Sequence, residues 1–303
     1  MNGINERQNE ADSIDRLAAQ KQIYSDAKLL QGWYLFLSVP MMVLLNMILK
    51  PLLLTDVFKF GVTFDLTNSI AIFALCLTIA DWAWLKPTIV KLKEKAAKIQ
   101  EEFDCFVYGL EWNDILCGDR PNGVDVRLYS DKYLSKKKSV DAFRDWYTSD
   151  VTHVSSVQGM LLCQNENLGW DVSQREKFVS AVFWVAVASF ITSCCVAVYL
   201  DFTVKSFILN ALIPSLPLIG YAITNYYENS EAIEIKKRLK SATEKVGEIN
   251  TPTIKLVRNI QNLIYLNRST NSLIFDWYYD WYRNSNQRGV SYATVQLVKK
   301  IAR

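Results

Sequence analysis

The sequence has a single histidine, His153, and six cysteines, of which no two are spaced as Cys-x-x-Cys. Zinc sites are built from clusters of histidine and cysteine at short spacings, so this composition argues against a metal site. The phosphate-binding pattern GxxxxGK[ST], the dinucleotide pattern GxGxxG and the hydrolase patterns GxSxG and HExxH are also absent. We therefore expect no catalytic residues, no cofactor and no enzymatic activity.

The chain also lacks a strong charge bias and an early apolar run. Its 34 basic and 31 acidic residues leave a net charge of +3, which gives no support for a nucleic-acid-binding surface. Residues 1–30 are polar and mixed in charge, so we expect no cleavable signal peptide there. The first apolar stretch that follows is expected to anchor the chain.

Half of the residues are hydrophobic, and they concentrate in four stretches with few charges. These stretches are residues 33–54, 67–85, 178–200 and 202–226. The third, FVSAVFWVAVASFITSCCVAVYL, has no charged residue and as a helix reaches about 35 Å, enough for a hydrocarbon core of about 30 Å. Prolines in the first and fourth stretches are expected to kink them. The predicted fold is an all-α membrane protein with four transmembrane helices in two hairpins.

Basic residues are distributed unevenly around these stretches. Of the 34, 31 lie in residues 1–32, 86–177 and 228–303. Cytoplasmic flanks of membrane helices collect Lys and Arg, so both termini and the central region are predicted to be cytoplasmic. The short loops at residues 55–66 and around Asp201 are predicted to face the opposite side.

We predict five consecutive regions. They are a cytoplasmic N-terminal amphipathic helix (1–32), a first transmembrane hairpin (33–85), a central cytoplasmic region (86–177), a second transmembrane hairpin (178–226) and a C-terminal cytoplasmic helical region (227–303). The three cytoplasmic regions are expected to form one mainly helical domain.

Apolar residues repeat at the helical period in residues 9–31 and again from Pro87 onward, which predicts a helix in each place. Further helices are predicted at residues 124–133, 139–148 and 254–268. The segment FDCFVYGL (103–110) is compatible with one short strand.

Three cytoplasmic segments are dense in polar and aromatic residues. They are IQEEFDCFVYGLEWN (99–113), CQNENLGWD (163–171) and IQNLIYLNRSTNSLIFDWYYDWYR (260–283). Their order around two hairpins, together with RQNEADSIDRLAAQKQIYSDAK upstream (7–28), resembles the SMODS-associated four-transmembrane effector family. The resemblance covers nearly the whole chain. Asn165 departs from the pattern, which has a basic residue after Cys-Gln.

The resemblance implies a function. Members of this family are encoded beside nucleotidyltransferases that make cyclic di- or oligonucleotides upon phage infection, and are regarded as pore-forming effectors. By that likeness, the chain binds a cyclic nucleotide in the cytoplasm and permeabilises the bacterial inner membrane, which stops growth of the infected cell. Its expected partners are the cyclic nucleotide, the lipid bilayer and, by function, the synthase.

Recognition of a cyclic nucleotide requires cations for its phosphates and flat or amide side chains for its bases. The ligand-binding candidates are Trp112, Asn113, Arg127, Gln164, Asn167, Trp170, Asp171, Arg268 and Arg283. Each also has a structural interpretation. Basic residues close to a span set topology or contact anionic lipid, Asn and Asp cap helices, and tryptophans occupy cores or membrane interfaces.

A pore needs a wet lining, which four mostly apolar helices cannot enclose alone, so a homo-oligomer is implied. The candidates for pore lining or helix packing are Asn46, Asp81, Ser189, Thr192, Ser193 and Asn210. Small hydroxyl residues in membrane helices also mediate packing, and Asp81 also suits the cytoplasmic interface.

Three other classes of protein stay open: a transporter, a constitutive channel and a membrane-bound enzyme. A small membrane transporter, or a constitutive ion channel unrelated to nucleotide signalling, would use the same spans. A transporter typically shows internal repetition and charged groups in mid-membrane, but the hairpins share no obvious repeat and only Asp81 is available. A membrane-bound enzyme would need a catalytic set that one histidine and no phosphate loop do not supply.

Overall fold

A computed structural model describes residues 2–54, 65–136, 139–199, 201–249 and 252–301. The fold is all-helical, with 86% of residues in helices and no strand in those ranges, which confirms the predicted all-α class. Most of the predicted loop at residues 55–66 lies outside the described residues, as do the side chains of Asn210 and Arg283.

The α-helices are numbered here in chain order. They are α1 Ile4–Gln8, α2 Ala11–Ser38, α3 Pro40–Val43, α4 Lys50–Leu54, α5 Thr67–Ala80, α6 Lys86–Tyr108, α7 Asp114–Cys117, α8 Gly123–Ser135, α9 Ser156–Tyr199, α10 Val204–Phe207, α11 Ile213–Ile249, α12 Ile254–Thr270 and α13 Asp276–Ile301. Segments of π-helix, Leu44–Leu49, Asp81–Leu85 and Ile208–Leu212, connect α3 to α4, α5 to α6 and α10 to α11. The helices predicted at residues 124–133 and 254–268 are confirmed as α8 and α12.

Two local predictions are corrected. The strand considered at residues 103–110 does not form, because α6 continues to Tyr108 and ends where Gly109 has a φ of 71°, a conformation that favours glycine. The helix predicted at residues 139–148 is wrong, since only Asp141–Phe143 forms a short 3₁₀ turn. Side-chain amides from α1 and the residue after it bind the backbone of that segment and replace helical hydrogen bonds.

The chain forms two compact units. The polar unit comprises Met1–Lys28, Val90–Lys177 and Asn229–Arg303, and the apolar unit comprises Leu29–Ile89 and Phe178–Glu228. The boundaries of the five predicted regions stay predictions.

The core of the polar unit is built from the apolar faces of long helices. Leu17 of α2, Phe103 of α6, Leu168 of α9 and Val257 of α12 are buried to 1% exposure or less. On α6, Ala96, Ile99 and Phe103 are all buried and lie three or four residues apart, as one face of an amphipathic helix requires. The periodic apolar faces predicted for α2 and α6 are thus the faces that pack.

The apolar unit exposes large hydrophobic side chains. Trp184 and Val198 of α9 are 64% and 78% exposed. Among the described residues, three helices are long and apolar enough to cross a membrane: Ala11–Asn46, Thr67–Tyr108 and Ser156–Tyr199. Residues 202–226 are not one of them, so the count of four spans and the hairpin arrangement stay predictions.

Prolines affect the predicted first and fourth spans differently. Val39 leaves the helical conformation before Pro40, which occupies the first turn of α3, a position that proline tolerates. The Val39 N–H still bonds the Leu35 carbonyl at 3.1 Å, so the helical hydrogen bonding continues up to this interruption. Pro217 lies inside the continuous helix α11.

Candidate functional site

A buried network of charged and amide side chains joins α6 to α12 in the polar unit. Glu101 and Asp104 lie three residues apart on α6 and are fully buried. Arg258 donates to Glu101 Oε1 at 2.5 Å, and Arg268 donates to Asp104 Oδ2 at 2.5 Å. Between them, Gln261 Nε2 donates to Glu101 Oε2 at 2.7 Å and to Asp104 Oδ2 at 2.9 Å. Each carboxylate therefore has one cation, and the two share one amide. These five residues are called the α6–α12 network.

Burial controls ionisation in this network. It raises the pKa of Glu101, and the charge of Asp104 adds to the rise, while hydrogen bonds from Gln261 and Arg258 oppose it. Burial disfavours the charged form of Arg268, but Asp104 more than compensates and keeps the pKa of Arg268 above its usual range. Removing one partner of a buried ion pair leaves an uncompensated charge, so the members of this network depend on one another.

Two further side chains extend the α6–α12 network. The hydroxyl of Tyr147 donates to Asp104 Oδ1 at 2.7 Å. Gln164 Nε2, on α9, donates to Gln261 Oε1 at 3.0 Å and to the Val257 carbonyl at 2.9 Å. Through these contacts the network connects α6 and α12 to α9 and to the loop before it.

A second cluster lies where α9, α11 and the segment after α12 meet, and we call it the Asp171 cluster. Arg175 Nε donates to Asp171 Oδ2 at 2.6 Å, and Lys236 donates to the same oxygen. Arg175 Nη1 also donates to Asn229 Oδ1 at 2.5 Å and to the Ser272 carbonyl at 2.9 Å. Burial opposes ionisation of Asp171, but Arg175 and Lys236 hold its pKa well below the usual range. Burial lowers the pKa of Lys236 to about 8, despite the attraction of Asp171.

A third cluster, the Asp276 cluster, joins α2 to the start of α13. Lys21 and Lys28 approach Asp276 Oδ1 at 3.1 and 2.8 Å, and Ser25 donates to Oδ2 at 2.5 Å. Lys21 Nζ also lies 4.2 Å from the centroid of the Tyr279 ring, in cation–π contact. Burial lowers the pKa of Lys28 to about 8, and the charge of Lys21 acts in the same direction while Asp276 opposes it.

The structure brings four of the predicted ligand residues into or beside these clusters. Gln164 and Arg268 belong to the α6–α12 network and its extension. Asp171 is the centre of the second cluster. Trp170 lies beside the third, with its ring centroid 5.3 Å from that of Tyr279.

Two other predicted ligand residues have structural partners elsewhere in the polar unit. Trp112 is buried, and its Nε1 donates to the Gly118 carbonyl at 2.8 Å. The side chain of Asn113 caps α7 by accepting from the Leu116 N–H at 3.2 Å, and donates to Asn262 at 3.2 Å. Both residues hold the turn that follows α6.

The rest lie apart from the clusters. Arg127 is exposed on α8 and pairs with Asp131 at 2.9 Å, and Asn167 is half-buried within α9. The side chain of Arg283 is outside the described part of the structure. Asn165, which departs from the resembling pattern, is buried, and its amide donates to a hydroxyl and a carbonyl on α11.

Sequence reasoning did not single out the central carboxylates of the α6–α12 network. Glu101 and Asp104 are three residues apart on the same helix, as are Arg258 and Gln261 on theirs. The sequence did contain a usable pattern. Two acidic residues lie on the apolar side of one helix, and a basic and an amide residue lie at the same spacing on another.

Two predicted pore-lining residues bond to their own segments. Asn46 is buried, and its Nδ2 donates to the Met42 carbonyl at 2.9 Å. Asp81 is buried at the start of a π-helical segment and pairs with Lys86 at 3.1 Å. The ion pair gives Asp81 a local partner.

The hydroxyl residues of α9 bond to backbone carbonyls one turn earlier. Thr192 Oγ1 donates to the Ala188 carbonyl at 2.8 Å, and Ser193 Oγ donates to the Ser189 carbonyl at 3.0 Å. Thr192 is exposed and Ser193 is buried, so they lie on different faces of the helix. The side chain of Asn210 lies outside the described residues.

Long apolar helices, together with a helical polar unit that contains buried networks of charged side chains, define a helical membrane protein. More specifically, the chain belongs to the family of the SMODS-associating 4TM effector domain, whose model matches residues 2–297. It is similar to a Bacillus cereus (strain VD146) protein named a probable CBASS effector molecule, with 25% identity over 97% of this chain and 98% of the relative. No solved structure matches the chain.

Proposed function

We propose that this chain is a membrane effector of antiphage defence, which a cyclic di- or oligonucleotide activates and which then permeabilises the inner membrane of the infected bacterium. The family match over residues 2–297 carries the proposal, and the name of the Bacillus cereus relative supports it. The nucleotide would come from a synthase that belongs to the same defence system.

The polar unit supports the nucleotide half of this proposal. It combines buried arginines and lysines with partly buried aromatic rings, as in the Asp171 and Asp276 clusters. Cations that bind phosphates and rings that stack on bases are what recognition of a nucleotide requires.

The apolar unit supports the membrane half. We propose four spans in two hairpins, with the termini and the polar unit in the cytoplasm, because Lys and Arg concentrate on that side of the predicted spans. Four apolar helices enclose no aqueous lining by themselves, so the active form is a homo-oligomer. The protein acts by opening the membrane and not as an enzyme.

Reconstitution of the purified full-length protein into dye-loaded vesicles tests the function directly. Adding cyclic di-AMP, cyclic di-GMP, cyclic GMP–AMP or cyclic tri-AMP should release dye with one or more of them, and the linear dinucleotides serve as matched controls. Dye release that is equal without nucleotide would instead indicate a constitutive channel or transporter. If no nucleotide releases dye, the pore-forming half of the proposal fails.

Cysteine labelling tests the topology. In a variant without the native cysteines, Lys59→Cys and Asp201→Cys should react with a membrane-impermeant maleimide added outside intact spheroplasts, whereas Glu111→Cys should react only after lysis. Labelling of Glu111→Cys in intact spheroplasts would reverse the proposed orientation.

A further inference from the structure

The Asp171 and Asp276 clusters share one arrangement. Each has a single carboxylate held between two basic side chains: Arg175 and Lys236 in one cluster, and Lys21 and Lys28 in the other. One negative charge thus faces two positive charges in each cluster, and both clusters lie in the polar unit.

The two clusters lie close together through α2 and an aromatic pair. Tyr24 is three residues from Lys21 and four from Lys28 on α2, and burial raises the pKa of its hydroxyl while the charges of Arg268 and Arg175 lower it. Trp170, which precedes Asp171 in the chain, packs on Tyr279 at a centroid distance of 5.3 Å. Two carboxylate-centred clusters therefore flank one pair of rings.

Neighbouring charges leave the positive excess in place. Lys177 lies 4.8 Å from the centroid of the Tyr282 ring, one turn along α13 from Tyr278, and the charge of Asp280 acts on Lys28. With both included, the group has five basic and three acidic side chains, a formal charge of +2. Burying like charges together is costly, so a second anionic partner would stabilise the group.

The aspartates are the most exposed members of the two clusters. The side chains of Asp171 and Asp276 are each 29% exposed, whereas those of Lys236, Arg175, Lys28 and Lys21 are 6%, 9%, 13% and 20% exposed. An anion that arrives from solvent contacts the aspartates first. If it displaces them, it can bind the basic side chains that lie behind them. A phosphodiester carries one negative charge on two non-bridging oxygens, as a carboxylate does, so it can take this place.

We propose that the two clusters form one site for a ligand with two phosphodiesters, in which each phosphate replaces Asp171 or Asp276 as partner of its two cations while a base packs on Trp170 and Tyr279. This inference rests on the proposed function, and it names the part of the polar unit that would bind the nucleotide. Release of Asp171 loosens α9 from α11, and release of Asp276 loosens α2 from α13, which gives binding a structural consequence.

The experiment measures binding of radiolabelled cyclic di-AMP, cyclic di-GMP, cyclic GMP–AMP and cyclic tri-AMP to the full-length protein in nanodiscs of neutral phosphatidylcholine. The double variant Lys21→Met/Lys28→Met should bind about ten- to a hundredfold more weakly, since charge-assisted hydrogen bonds are lost. Asp276→Asn should bind about fivefold more tightly, because it removes the competing charge. Lys132→Met is the control, since Lys132 pairs one-to-one with Asp26 at 2.7 Å and its loss should leave binding unchanged.

The opposite signs distinguish a ligand site from a structural role, because loosening the cluster alone would weaken binding in both variants. If Lys21→Met/Lys28→Met is polydisperse by size-exclusion chromatography, the nucleotide affinity of Asp276→Asn alone tests the site. Wild-type affinity in the lysine variant, or weaker binding in Asp276→Asn, would overturn the site while leaving the proposed function standing.

If the wild type binds none of these nucleotides, the proposed function fails and anionic lipid becomes the other source of phosphodiesters. Nanodiscs of phosphatidylglycerol should then stabilise the wild type against heating more than they stabilise Lys21→Met/Lys28→Met. Equal stabilisation of both would overturn the phosphodiester site as well.

Discussion

The side-chain amide of Gln8 pairs with the backbone of Tyr147. Its Oε1 accepts from the Tyr147 N–H at 2.8 Å, and its Nε2 donates to the Tyr147 carbonyl at 3.2 Å. Both residues are buried, so these backbone groups depend on the Gln8 amide. Because Tyr147 also donates to Asp104, the pairing fixes α1 to the loop that supports the α6–α12 network.

Gln8→Ala should therefore destabilise the protein by about 2 kcal/mol, because it leaves two buried backbone groups without partners. The measurement is the unfolding midpoint in detergent by intrinsic fluorescence. Glu10→Ala, at an exposed position two residues on, is the control and should change stability by less than about 0.5 kcal/mol. Equal midpoints for Gln8→Ala and the wild type would show that the pairing is not structural.

The ion pair of Arg268 with Asp104 gives a second prediction. Arg268→Met leaves the fully buried Asp104 carboxylate without its cation, which should cost about 3–5 kcal/mol. Combining it with Asp104→Asn should recover part of that loss, because the uncompensated charge is gone. A double variant that loses the sum of the two single losses would contradict coupling. The exposed pair of Arg127 and Asp131 is the comparison, and Arg127→Met should cost no more than about 1 kcal/mol.

The sequence predicted the helices whose apolar residues recur at a fixed spacing. Leu17 and Phe103 lie on such faces, and both are buried. The helix predicted at residues 139–148 failed because Gln8, more than 130 residues away, binds the backbone at Tyr147. A contact at such a separation leaves no local pattern.

The same reason limits what the sequence says of the candidate site. Arg268 and Asp171 stood out because their segments are rich in polar and aromatic residues. Glu101 did not, because a charged residue on an amphipathic helix is normally solvated, and its burial depends on Arg258 and Gln261 more than 150 residues along the chain.

The faces of α9 give a third prediction, which tests the proposed pore. Thr192 is exposed and Ser193 is buried. In a variant without the native cysteines, Thr192→Cys should react with a charged methanethiosulfonate reagent about tenfold faster than Ser193→Cys once nucleotide is added. If Thr192→Cys reacts only with an uncharged, membrane-permeant reagent, this face contacts lipid and does not line a pore.

Glu166 gives the last prediction, on pH. Burial raises the pKa of its carboxyl to about 7, although a hydrogen bond of 3.2 Å from the Thr148 N–H lowers it. Since the folded pKa exceeds the unfolded value of about 4.3, the folded state binds more protons between these two values, and stability falls as pH rises through this window.

The loss attributable to Glu166 between pH 4.5 and 8 should reach roughly 2–3 kcal/mol. Glu166→Gln keeps an acceptor for Thr148 but cannot ionise, so it should match the wild type near pH 4.5 and exceed its unfolding midpoint at pH 8. Glu111→Gln, at an exposed position, is the control and should follow the wild type at every pH. If Glu166→Gln instead loses stability at pH 8, the fold requires the ionised carboxylate. The hydrogen bond from the Thr148 N–H then outweighs the cost of burying the Glu166 charge.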